Sequence, residues 1–131
     1  MVLDTIATPG QLAGVTRFVR ENCGAPPGSE TNRLDLIVEE LFLNIALHGS
    51  PGGPVRIICA PDGPGIVALE FSHGGPPFNP ATDAPEPDLD ATLADRRIGG
   101  LGLFLVREMA EAVDYRREDG MNLLAVKVKL E

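Results

Sequence analysis

Hydrophobic positions along this chain follow two periods, and the switches between them mark out the elements. In "TPGQLAGVTRFVRENCG" Leu12, Val15 and Val19 share one helical face. Thr8 stands at the N-cap of that helix, Pro9 suits its first position, and Gly24 ends it. "APPGS" reads as a linker. From Ser29 or Thr31 to His48 runs the strongest helical pattern: Leu34, Val38, Leu41 and Ile45 recur at alternating spacings of four and three. "GSPGGP" breaks it. "VRIICA" and "GIVALEF" then read as strands joined by the turn "PDGPG". After a polar, proline-rich and acidic stretch, "GGLGLFLVREMAEAV" predicts a further long helix. "VDYRRE" and "NLLAVKVKL" predict a hairpin across "DGM".

The order is helix, helix, two strands, loop, helix, two strands. Consecutive hairpins favour a mixed, mostly antiparallel sheet, and helices with one apolar stripe each would cover one of its faces. The expected fold is a two-layer α/β sandwich. At 131 residues the chain suits a single domain over its whole length.

Composition narrows the function classes. A formal charge of −8 lacks the basic stripe that nucleic acid demands. Cys23 and Cys59 lie far apart, and two cysteines with two histidines give a structural zinc site too few ligands. They read as reduced thiols. No leader pattern or membrane-length apolar run is present, so the expectation is a cytoplasmic protein without a membrane partner.

Three clusters carry candidate chemistry. Glu40, Asn44 and His48 are four apart and line up on the long helix beside its apolar stripe. Polar groups at such a boundary need partners. They either cap loops and bond to the sheet, or turn a carboxylate and an amide oxygen toward a cation and phosphates, a donor set suited to Mg²⁺. Gly99, Gly100 and Gly102 stand before a helix, where free N–H groups favour anions; a hinge or close packing would use the same residues. In "FSHGGPPFNP", Gly74 to Pro77 force a sharp turn and Phe78 returns to the core. On the long helix Leu36, Leu43 and Leu47 lie off the main stripe, either beneath another helix or in an interface.

Taken in order, "EELFLNIALHG", the G-x-P-F turn with "NP", the acidic loop, "GGLGLFLVR", "VDY" and a last strand holding Asn122 resemble the Bergerat ATP-binding fold. The resemblance, over about residues 8–131, is narrowest to the stand-alone bacterial anti-sigma factor serine-protein kinases. It implies ATP as phosphate donor, Glu40 as general base, and Asn44 as the Mg²⁺ ligand. It implies that Gly99, Gly100, Leu101, Gly102 and Leu103 meet the phosphates, and that residues 81–97 form a lid. His48, His73, Gly75 and Phe78 complete the implied nucleotide-binding set. The implied partners are a sigma factor, a STAS-domain anti-anti-sigma factor whose serine is phosphorylated, and a second copy in a homodimer.

One residue departs from the pattern. The family's turn begins with Asp, which accepts the adenine amino proton, and here the position is His73. A neutral imidazole has one donor and one acceptor nitrogen, so its tautomer decides what it reads. Loss of a buried hydrogen bond to a charged group costs about 1.5–3 kcal/mol, ten- to hundred-fold in affinity. The last strand reads "NLLAV" where the family often has threonine near the base. Two expectations follow: an Mg-ATP kinase with altered base recognition, or a binding-only partner-switch module without tight nucleotide binding.

Overall fold

Alternation of side chains decides how the sheet sits. A computed structural model of the protein describes residues 1–23, 32–83 and 106–130. Strands β1 (Val2–Ile6), β2 (Pro54–Pro61), β3 (Ile66–His73), β4 (Ala110–Glu118) and β5 (Met121–Lys129) form one sheet in the order β1-β2-β3-β5-β4. All four pairings are antiparallel. Val67, Leu69, Phe71 and His73 of β3 are buried, as are Asn122, Leu124, Val126 and Val128 of β5. The intervening residues are half-buried or exposed, so one face is core and the other is not.

Helices α1 (Leu12–Asn22) and α2 (Asn32–Asn44) supply the second layer. The predicted stripe of α2 is buried in full, since Leu34, Val38, Leu41 and Ile45 are at most 1% exposed. Val15 and Val19 do the same for α1, with Leu12 packed partly against them. Arg20 also ties the helices together by a bidentate pair to Asp35, at 2.9 and 2.6 Å. Cys23 and Cys59 are buried and free. The two-layer sandwich predicted from the sequence is the fold observed. No helix among the described residues is long and apolar enough to cross a membrane.

Several local expectations change. The edge strand β1 has no counterpart in the sequence reading, because only Leu3 and Thr5 are half-buried and the pattern is too short to declare a period. The Thr8 side chain makes no cap hydrogen bond. Its carbonyl instead accepts the Gln11 N–H at 3.0 Å, and a 3₁₀ turn over Pro9–Gln11 precedes α1. The helix expected to run to Val113 gives way at Met109, and β4 starts at Ala110. The alanines there are good helix formers, but pairing with β5, bulged between Ala110 and Ala112, overrides propensity. The "DGM" hairpin forms with Asp119 and Gly120 both left-handed, at φ +50° and +77°, as a two-residue type I′ turn requires. Leu36 and Leu43 are half-buried and Leu47 is exposed. Gly24, the linker, the lid beyond Asp83 and the glycine-rich segment lie outside the described residues.

Candidate functional site

Two polar residues interrupt the apolar inward face, and both stand at the same end of it. In the register, Val55 of β2 pairs with His73, and His73 pairs with Asn122. Both polar residues are fully buried. At this end β3 runs into the turn 74–80, and α2 runs into a π-helical turn over Ile45–Gly49. Such wide turns gather at functional sites and carry later side chains off the four-residue line. Here Asn44 is buried while His48 is exposed.

Asn122 organises the turn. Its side-chain oxygen accepts the Phe78 N–H at 2.8 Å and the Tyr115 hydroxyl. Its nitrogen donates to the carbonyls of His73, Gly74 and Pro76 at 3.3, 3.1 and 3.1 Å. One amide thus satisfies backbone groups that the turn would otherwise leave buried and unpaired. Arg117 of β4 adds a bond to the Gly75 carbonyl at 2.8 Å. Gly75 itself has φ +82°, which only glycine adopts without strain.

The helix side closes on this turn through Asn44 and Gly49. Asn44 Nδ2 donates to the Pro80 carbonyl at 3.3 Å. With the nitrogen engaged, the oxygen is the atom of that amide with the chemistry for a cation. A Cβ on Gly49 would stand 2.7 Å from Phe78 Cδ2 and 3.3 Å from His73 Cε1, so the backbone passes where no side chain fits. The rings of Phe78 and His73 meet edge to face at 6.3 Å. Beyond Pro80, Asn79 and Asp83 tie off the chain: Asp83 accepts the Asn79 N–H at 2.7 Å, and Asn79 accepts the Ala81 N–H at 2.9 Å.

Electrostatics separate the two titratable groups. Glu40, one helical turn before Asn44, is half-buried. Desolvation raises its pKa above the usual carboxylate range, and the neighbouring charge of Glu39 adds to the effect. His73 moves the other way. Burial lowers its pKa, the Gly74 carbonyl partly offsets that, and the positive charge of Arg117 lowers it further. A half-buried carboxylate of raised pKa is a competent proton acceptor; a buried neutral imidazole is a hydrogen-bonding group.

The structure therefore brings together Asn44, His73, Gly75 and Phe78 of the predicted set around one turn, with Glu40 on the same helix as Asn44. Gly99, Gly100, Leu101, Gly102 and Leu103 lie outside the described residues. Gly49, Pro80, Tyr115, Arg117 and the central role of Asn122 were not anticipated. Asn122 had a signal: it is a polar residue in phase with Leu124, Val126 and Val128. Among the described residues no three His, Cys, Asp or Glu side chains cluster as a metal site. A lone amide oxygen fits Mg²⁺ that arrives on nucleotide phosphates, rather than one held in a protein cage.

Comparison with known proteins identifies the family. Residues 5–128 match the family described as histidine kinase-like ATPase domain. The chain is 35% identical over 95 residues to the serine/threonine-protein kinase BtrW of Bordetella bronchiseptica. The alignment covers 71% of this chain and 66%, just under two thirds, of that relative.

Proposed function

Because the chain belongs to the histidine kinase-like ATPase domain family, we propose that it binds Mg-ATP at the polar end of the sandwich and phosphorylates a protein serine. The acceptor in this reading is a serine of a STAS-domain anti-anti-sigma factor, in a bacterial partner-switching system that also holds a sigma factor. Similarity to a serine/threonine-protein kinase supports the choice of a hydroxyl acceptor over a histidine. The anti-sigma assignment rests on the motif order in the sequence.

The observation that carries the chemistry is Glu40, half-buried with a raised pKa and one turn from Asn44. Its carboxylate takes the serine proton as the hydroxyl oxygen attacks the γ-phosphorus. The bond from that phosphorus to the β-phosphate oxygen breaks, and ADP leaves. A proton held more tightly than usual makes a stronger base, provided the group is ionised at working pH. Asn44 would hold Mg²⁺ through its amide oxygen, and the ion supplies neutralisation of phosphate charge. Backbone N–H groups from Gly99 to Leu103 complete the proposed phosphate contacts.

Transfer of labelled γ-phosphate to the STAS partner tests this reading. Glu40→Gln should slow transfer about 10²- to 10⁴-fold while nucleotide still binds. In the wild type the rate should rise with pH through a midpoint above the ordinary glutamate value. Undiminished transfer by Glu40→Gln would sink the assignment. A second reading is favoured by His73 standing where the family has Asp: a module that binds its protein partners with no need of nucleotide. Partner binding that ignores Mg-ATP, together with no transfer, is what that reading predicts.

A further inference from the structure

An asparagine amide can lie two ways round, and only one of them offers a cation its oxygen. Asn44 is 3% exposed at the end of α2, so its neighbours decide which way it lies. The Pro80 carbonyl accepts from the amide nitrogen at 3.3 Å. A carbonyl can only accept, so the reversed amide would set oxygen against oxygen. The Asn44 side-chain oxygen has no hydrogen-bond partner among the described residues.

The Pro80 carbonyl is itself held in place. Asn79, just before it, behaves as a helix cap: its side-chain oxygen accepts the Ala81 N–H at 2.9 Å. The Asn79 carbonyl accepts the N–H groups of Thr82 and Asp83 at 3.0 and 2.8 Å. Asp83 closes the box. One of its carboxylate oxygens accepts the Asn79 N–H at 2.7 Å, and the other accepts the Thr82 hydroxyl at 3.2 Å. Proline suits the position after the cap, since it has no N–H to leave unpaired and its φ is fixed. Pro80 is buried and Asp83 is exposed, so the box can lose the Asp83 side chain without opening the core.

We propose that Asp83 and Asn79 are positioning residues for Asn44: by fixing the Pro80 carbonyl, they keep the amide oxygen free for the Mg²⁺ of Mg-ATP. The inference rests on the proposed nucleotide site and adds what orients its metal ligand. Neither residue touches metal or phosphate. They act by suppressing the reversed amide, which would offer the cation an NH₂ group in place of an oxygen. When the box loosens, the reversed amide takes a share of the molecules, and apparent metal affinity falls with the fraction that stays competent.

The test measures ATP binding by titration calorimetry across free Mg²⁺ concentrations, and again in excess chelator. Asp83→Ala should raise the Mg²⁺ concentration for half-maximal effect about two- to tenfold, the ratio one hydrogen bond supports. Binding in chelator should be unchanged, which a general loosening of the site would not give. Asp83→Asn removes the same charge but keeps an acceptor oxygen, so it should restore the wild-type Mg²⁺ dependence. Independently of any nucleotide, NMR should find the Asn44 side-chain NH₂ protons exchanging with water faster in Asp83→Ala than in the wild type. The same Mg²⁺ dependence, or the same amide exchange, in those two proteins overturns the inference and leaves the nucleotide site standing. So does an equal loss in Asp83→Asn, which would assign the effect to charge. No ATP binding by the wild type at any Mg²⁺ concentration overturns the nucleotide site, and the inference with it.

Discussion

The inward face of the sheet has two ends made from the same strands with the same period. At one end Val67, Leu69, Val126 and Val128 are buried in one hydrophobic cluster with the apolar stripe of α2. At the other end His73 and Asn122 occupy equivalent positions, and burial is sustained by hydrogen bonds to a turn that has no ladder of its own. The first end tolerates changes that keep volume and polarity. The second depends on individual atoms, because one amide serves the Phe78 N–H, three carbonyls and a tyrosine hydroxyl. On the proposed function, stability would belong mainly to the apolar end and specificity to the polar one.

Substitutions at each end should pull these properties apart. Phe71→Ala, in the middle of the apolar face and fully buried, should lower unfolding stability by about 3–5 kcal/mol. Nucleotide preference of the folded fraction should be unchanged; a change in base preference would mean the two ends are not separable. Asn122→Ala should cost about 2–4 kcal/mol, since several buried backbone groups lose their partner. Unlike Phe71→Ala, it should also blunt the discrimination between ATP and GTP, as read by titration calorimetry.

Gly49→Ala should cost about 1–3 kcal/mol by overpacking. The methyl would press on Phe78 at 2.7 Å and move the ring. Chemical denaturation measures the loss, and a neutral result would show that the helix end can retreat from the turn. The smallest effect concerns pH. Burial holds the folded-state pKa of His73 below the ordinary histidine value of about 6.5, so as pH falls below that value the unfolded chain takes the proton first. Its contribution is present above about pH 6.5 and is lost toward acid at no more than about 1.4 kcal/mol per pH unit. Wild type should lose stability below that pH relative to His73→Phe, and parallel curves for the two would contradict a buried neutral ring.

Much of the apolar end was legible in the sequence because periodicity reports burial. Leu34, Val38, Leu41 and Ile45 announce the covered face of α2, and alternation announces β3 and β5. The polar end was legible only as an ordered set of motifs, because its geometry comes from contacts between distant segments. Asn122 reaches 44 residues back to Phe78, and Gly49 is glycine because Phe78 folds over it. Edge strand β1 and the early start of β4 escaped for a different reason. Pairing across the sheet determines them, and local propensity is neutral in one case and opposed in the other.

The central claim is that the polar end is a nucleotide site, and thermal unfolding with and without Mg-ATP tests it most directly. At a hundred times its dissociation constant the nucleotide should add about 2.7 kcal/mol of stability. The shift should exceed that with Mg-GTP and shrink in His73→Phe. No shift with millimolar Mg-ATP would contradict the account.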